Sequence, residues 1–231
     1  MPQTSQIKSK QRVAAHGEVF TAEREVKAMC DLVADECNRI DSRFLEPACG
    51  EGAFLAEILT RKLAVCKQKY GTPLLRPDYE RASVNAVMSI YGVELLQDNA
   101  EACRQRMFEI WNKAYSEICG IAANDECRQV VQFILSKNIL CGDALTMKQD
   151  DGTPIIFAEW SFLDGSLVKR RDFEFATLLK ASEENQATGN SLALPGIGPL
   201  EWDAKQKAYI PKPLKEYPPV DYRRLCEHGQ S

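Results

Sequence analysis

The sequence is poor in the residues that build metal centres. It has only two histidines, and its nine cysteines form no Cys-x-x-Cys pair. Zinc sites draw on closely spaced cysteines and histidines, so that class is set aside. Nor do nine scattered thiols in 231 residues resemble the disulfide framework of a small secreted domain; they fit a reducing compartment. No apolar run approaches the length of a membrane-crossing helix, and Met1 to Lys10 is polar, without the apolar stretch of a secretory signal. A cytoplasmic protein with no membrane partner is therefore expected. Positive charge is not in excess either. With 29 Lys and Arg against 33 Asp and Glu, the formal net charge is -4, so no global field draws the chain onto nucleic acid. What is present is an ordinary globular composition, long enough for one full core with extensions.

The most informative stretch is Phe44-Leu45-Glu46-Pro47-Ala48-Cys49-Gly50-Glu51-Gly52-Ala53-Phe54-Leu55. It reads as the end of a buried strand, a tight turn with two glycines, and the start of a helix whose apolar face continues through Ile58, Leu59 and Leu63. Gly50 and Gly52 let the backbone approach a ligand closely, and the helix aims its amides and positive dipole end back at the turn. Glu46-Pro47-Ala48-Cys49-Gly50-Glu51-Gly52-Ala53-Phe54-Leu55 resembles the first motif of S-adenosylmethionine-dependent DNA adenine-N6 methyltransferases, in the form found in the modification subunits of restriction-modification systems. The family usually has Asp where this chain has Glu46.

Further segments follow in the family's order. Ahead of the turn, Gly17 to Thr21 resembles the family's Gly-x-x-x-Thr-Pro segment, with Ala22 where proline is common. Thr21 also reads as the N-cap of a helix carrying Val26, Met29, Cys30, Val33 and Cys37. Residues 74–89 read as a connecting loop and a short helix. Ser89 to Glu94 is a short strand ending in an acid, and Leu96, Ala100, Cys103, Met107 and Ile110 mark a helix after it. Strand, turn, helix and strand make a βαβ unit with parallel strands and a right-handed crossover. Tyr91-Gly92-Val93-Glu94 resembles the second motif, and a carboxylate at that strand end can accept the ribose hydroxyls. After another helix, from Cys127 to Leu135, Gly142-Asp143-Ala144-Leu145 resembles the third motif. The resemblance implies that Thr21, Glu46, Ala48, Gly50 and Gly52 face the methionine part of the cofactor, Glu94 its ribose, and Asp143 its adenine amino group.

The pattern breaks where the catalytic tetrad, Asn/Asp-Pro-Pro-aromatic, should fall. In the family its side chain and a proline carbonyl accept hydrogen bonds from the target amino group, and its aromatic residue stacks on the flipped base. Here the chain reads Thr153-Pro154-Ile155-Ile156-Phe157-Ala158-Glu159-Trp160-Ser161-Phe162. In one reading Glu159 accepts the hydrogen bond and Trp160 stacks, making them the catalytic residues. In the other the segment is a hairpin, turning at Asp164-Gly165 and returning from Ser166 to Phe175, which replaces the catalytic loop. A helix is expected from Phe173 to Lys180. Lys169-Arg170-Arg171 reads either as a phosphate contact or as a solvated strand edge. Asn185 to Pro199 reads as a loop. Beyond it, Trp202, Tyr209, Tyr217 and Tyr222 punctuate a tail that wraps the main domain or docks on another chain, and Pro218-Pro219 reads as an extended part of it.

The expectation is an α/β, Rossmann-like class I methyltransferase core with a mostly parallel sheet, truncated after its third strand and followed by an irregular C-terminal tail. Residues 1–15 form a flexible arm, 16–147 the cofactor-binding core, 148–183 a hairpin and helix in place of the catalytic loop, and 184–231 the tail. The resemblance implies S-adenosyl-L-methionine as cofactor, DNA as substrate and no metal. The missing tetrad implies a second subunit that supplies the catalytic loop and target recognition. The alternatives are a catalytically inactive structural or regulatory subunit, and methyl transfer to RNA or protein.

Overall fold

A computed structural model describes residues 21–179, 200–203 and 208–229. Helices α1 (Glu23–Asp31) and α2 (Ala34–Cys37) precede strand β1 (Phe44–Glu46). Then come α3 (Ala53–Tyr70), α4 (Arg76–Met88), β2 (Ile90–Glu94), α5 (Gln97–Cys119), α6 (Asp125–Asn138) and β3 (Ile139–Cys141). The rest is strand-rich: β4 (Ile156–Phe162), β5 (Leu167–Glu174), β6 (Leu200–Asp203), β7 (Ala208–Pro211), β8 (Lys215–Glu216), β9 (Val220–Asp221), and a closing 3-10 helix (Tyr222–Gly229). The expected mobile arm, the Gly17–Phe20 part of the segment ahead of the turn, and the 185–199 loop lie outside the described residues. Among the described residues no helix is long and apolar enough to cross a membrane.

The centre is a three-stranded parallel sheet in the order β1-β2-β3, so this is an α/β protein. Glu46 pairs with Gly92, and Glu94 with Cys141. Adding strands in one direction through right-handed crossovers puts the connecting helices on one side. Ile90 and Ile139 accordingly pack with Leu55 and Leu59 of α3, Val84 and Val87 of α4, Trp111 and Tyr115 of α5, and Val131 and Ile134 of α6. Leu55 and Leu59 are fully buried, each removal of such a side chain from water contributing roughly 1.5–3 kcal/mol. The opposite sheet face carries Tyr91 and Val93. They meet a smaller apolar cluster with Ile155, Phe157 and Phe175.

Two helices differ from expectation. After Asp31 the helix breaks, and Met29 and Val33, expected on its buried face, are exposed at 54% and 45%. Between residues 74 and 89 stands a full 13-residue helix, α4, rather than a loop with a short one. Its buried face includes Glu80 and Ser83, which interrupt the apolar periodicity that marks a helix in sequence.

β4 and β5 form an antiparallel hairpin, with Ile156 opposite Glu174 and Phe162 opposite Val168. Gly165 supplies the positive φ of +65° in its turn. Residues 175–179 are helical. The hairpin's outer edge is covered by β8 and β9, both paired to β5. Of the tail aromatics whose side chains are described, Tyr217 and Tyr222 are buried in this chain's own core. Lys169-Arg170-Arg171 is neither a solvated edge nor a free phosphate contact: Lys169 pairs with Glu216, Arg170 with Asp172 and Arg171 with Glu159.

Candidate functional site

The carboxyl ends of β1, β2 and β3 bring together Glu46, the glycine turn, Glu94 and the Gly142-Asp143 turn. Just past β1, the Cys49 amide donates to the Val93 carbonyl at 2.9 Å, holding the turn against β2. Gly50 and Gly52 have φ of +52° and +78°, the left-handed region that L side chains rarely adopt. Their surroundings differ. A Cβ on Gly52 would stand 2.5 Å from the Cys103 sulfur, whereas one on Gly50 would meet nothing within 4 Å. Gly52 is thus required by packing, and Gly50 leaves open space at the start of α3.

Glu94 is 8% exposed and ties the turn to β2. Its Oε2 accepts from the Gly50 amide at 2.8 Å, and its Oε1 accepts from the Leu96 amide at 3.1 Å and from Asn99 Nδ2 at 3.2 Å. A carboxylate offers about four acceptor positions. Glu94 can therefore take one more hydroxyl as it stands, and a second only by giving up a present bond. Asn99, 3% exposed, belongs to this site although sequence reasoning passed over it. The one signal was its spacing, five residues after the strand-ending acid, on the first turn of α5.

Glu46 is partly buried at the end of β1. Burial raises its carboxyl pKa above the usual range, with the Ala48 amide pulling the other way. Ala48 is exposed. The Cys49 thiol, hydrogen-bonded to Cys103 and buried, is held far above its ordinary range, so it is a packing group and no nucleophile. Asp143 accepts from the Leu145 amide at 2.8 Å and from Thr146 Oγ1 at 3.1 Å, and these bonds hold its carboxyl below the usual range. Gly142, just before it, has no room for a side chain: a Cβ would lie 2.8 Å from the Lys148 carbonyl oxygen. Gly92 is constrained likewise, by Cys49 Sγ at 2.9 Å. Both glycines keep the loops close to the strand ends.

Thr21 does not cap the helix. It is exposed, and Ala22 occupies the cap position, its carbonyl accepting from the Glu25 and Val26 amides at 2.8 and 3.1 Å. Glu159 and Trp160 are also placed differently from the catalytic reading. Adjacent strand residues point to opposite faces. Trp160 points into the core, 5% exposed, with Nε1 donating to Asn138 Oδ1 at 2.8 Å and its ring edge-on to Phe133. It has no free face for a base. Glu159 points the other way, into ion pairs with Arg43 at 2.7 Å and Arg171 at 2.6 Å. A carboxylate held by two guanidinium groups is a poor acceptor for a weakly basic amino group.

No family model, curated protein or solved structure matches this chain. The site therefore rests on its own geometry and on the motifs. The open space at Gly50, the helix start behind it, and acids at three neighbouring strand ends fit a nucleoside whose polar groups need acceptors and whose charged end needs backbone amides.

Proposed function

We propose that this chain is the cofactor-binding part of an S-adenosylmethionine-dependent DNA adenine-N6 methyltransferase, cytoplasmic and of restriction-modification or defence type, completed by a second chain. The observation that carries the proposal is the junction of the glycine turn with Glu94: the Gly50 amide lies 2.8 Å from a carboxylate at the end of the neighbouring parallel strand. Dinucleotide and nucleoside sites place their glycine turn and ribose acid in this relation. The finer fold reading, a Rossmann-like class I methyltransferase core that stops after its third strand, goes with it.

In this reading Glu46, Ala48, Gly50 and Gly52 hold the methionine end, Glu94 accepts a ribose hydroxyl, and Asp143 accepts the adenine amino group. Asn99 orients Glu94. The bound cofactor supplies an electrophilic methyl group. The chain's own part is to fix its position and exclude water along the turn. Activation of the target amino group and reading of DNA fall to the second chain, because Glu159 is engaged by two arginines and Trp160 is buried.

Those same two residues favour the second reading, an inactive structural or regulatory subunit that retains the cofactor site. Incubation with methyl-labelled cofactor and adenine-containing duplex DNA separates the cases. The two-chain reading predicts no transfer by the purified chain and transfer once its partner is added. Transfer by this chain alone would overturn both the two-chain and the inactive-subunit readings.

A further inference from the structure

Parallel sheets normally have both faces covered. Here helices cover one face, and the small cluster around Phe157 and Phe175 covers only part of the other. Leu45, paired with Tyr91 in register, remains 40% exposed on β1, and among the described residues no strand pairs with the outer edge of β1. In front of it, between β1 and the β4–β5 hairpin, lies a cavity of about 470 Å³. That volume is within the range of small-molecule sites. None of the glycine-turn residues lines it.

Its walls are largely carbon. Tyr91, Phe157 and Phe173 contribute rings, and Leu45 and Leu178 fill between them, whereas the Phe44 ring packs on the other sheet face with Val26, Cys30 and Ile58. Tyr91 stands edge-on to Phe157, with centroids 5.5 Å apart. Its hydroxyl is spent on the Ala158 carbonyl at 3.0 Å, so the ring is what it offers the cavity. The polar lining is Arg43, Glu159 and Arg171. Glu159 engages Arg43 through Oε1 and Arg171 through Oε2, leaving two cations against one anion at the cavity wall. Arg171 also lies over the Phe173 ring, 5.6 Å from its centroid. The Glu159 bridge fixes both guanidinium groups, and fixed guanidinium donors beside apolar walls favour a planar anion.

We propose that this cavity is a second binding site, for a flat aromatic molecule carrying one carboxylate. The ring stacks among the rings of Tyr91, Phe157 and Phe173, and the carboxylate takes the surplus positive charge of Arg43 and Arg171. The assignment goes beyond the cofactor reading and does not depend on it.

The test titrates the full chain with 2-naphthoate, followed by amide chemical shifts and calorimetry. Neutral 2-naphthalenemethanol and cationic 2-naphthylmethylamine are the comparison probes. The proposal expects shifts centred on Leu45, Phe173 and Leu178, with the anion binding about tenfold tighter than the cation. Arg43→Gln with Arg171→Gln should weaken the anion about tenfold and leave the neutral probe unchanged. Leu178→Trp, which fills the cavity, should abolish binding of every probe. Retained thermal unfolding midpoints establish that the variants are folded. Absence of naphthoate binding, equal binding of anion and cation, or shifts outside the cavity would each overturn it.

Discussion

Between Phe44 and Cys141 the chain is held mainly by carbon against carbon, whereas the described residues from Ile156 to His228 join that core through Trp160, Val168, Tyr222 and Leu225 and are fastened to it as well by buried polar groups. The first region has Trp111 stacked on Tyr115 at 4.6 Å and a continuous apolar interior. The second adds a few buried polar groups to its apolar contacts. Glu80 of α4, 5% exposed, accepts from Tyr115 and Tyr222 hydroxyls at 2.6 Å each and from Arg223 Nε at 2.8 Å. Arg170 pairs through Nε and Nη2 with Asp172 and lies 4.3 Å from the Tyr217 ring centroid. Asn138 joins the two regions, donating to the Ile90 carbonyl at 3.0 Å and accepting from Trp160. The apolar region tolerates graded loss of volume; the polar fastening fails when its central acceptor goes, because the donors around it are left buried without partners.

The largest expected effect follows from that. Glu80→Ala should cost about 3–5 kcal/mol, the range for breaking a buried charged network, and should detach the segment from Val220 onward. Limited proteolysis and urea unfolding read both. Cleavage no faster than in the parent would break the contrast. Tyr222→Phe, losing one hydroxyl, should cost only about 1 kcal/mol.

The glycine turn gives the next pair. Gly52→Ala combines a left-handed backbone with a sulfur 2.5 Å from the new Cβ, and should cost about 2–3 kcal/mol. Gly50→Ala meets no neighbour and should cost about 1 kcal/mol. Equal losses in urea unfolding would show that packing against Cys103 does not distinguish them.

The pH dependence sharpens the contrast within the apolar region itself. Burial pushes the thiols of Cys30 and Cys119 up to about 11 and that of Cys66 up to about 12. A raised acid is stabilising below its unfolded pKa, so this contribution is lost as pH climbs from about 9 through 12. Lys62 is fully buried, and burial lowers its pKa to about 8. A lowered base works oppositely: stability rises between about 8 and 10.5, where only the unfolded chain keeps the proton. The parent should therefore hold level only to about pH 9 and then lose stability: by pH 10 these three thiols lose about 1 kcal/mol each against a gain of about 2 from Lys62, the raised thiols of Cys49 and Cys127 add to the loss, and it steepens above 10.5, where Lys62 gives no more. Lys62→Met, without that gain, should fall throughout pH 8–10 and lose about 2 kcal/mol more than the parent. Denaturant midpoints across pH 7–11 test this, and identical profiles for the two proteins would contradict it.

The smallest effect is expected at Glu159. Its partners reach solvent, Arg43 with half its side chain, so Glu159→Gln should cost less than about 1 kcal/mol. A larger loss would mean that the hairpin depends on this bridge.

Much of the apolar region was legible in the sequence. Apolar spacing marks α3, α5 and α6, short runs ending in acids mark β1 and β2, and Asp164-Gly165 marks the turn between β4 and β5. What was not legible depends on long-range polar pairing. α4 hides because Glu80 and Ser83 face inward, satisfied by groups as distant in sequence as Tyr222. Lys169-Arg170-Arg171 looks like a surface run because the partners of Lys169 and Arg171, Glu216 and Glu159, lie on other strands. At the site, the positions of Glu46, Glu94 and Asp143 at neighbouring strand ends follow from the motif order, while Asn99 is marked only by its spacing after Glu94, and the Arg43–Glu159–Arg171 bridge appears only when the strands are placed side by side.

The most direct test of the account is calorimetric titration of the purified chain with S-adenosylmethionine, beside Glu94→Gln and Asp143→Ala proteins shown to be folded. The account predicts one site in the parent, about tenfold or more weaker in Glu94→Gln, and a smaller loss in Asp143→Ala. A folded parent that binds no cofactor, or a Glu94→Gln protein that binds it as tightly, would contradict it.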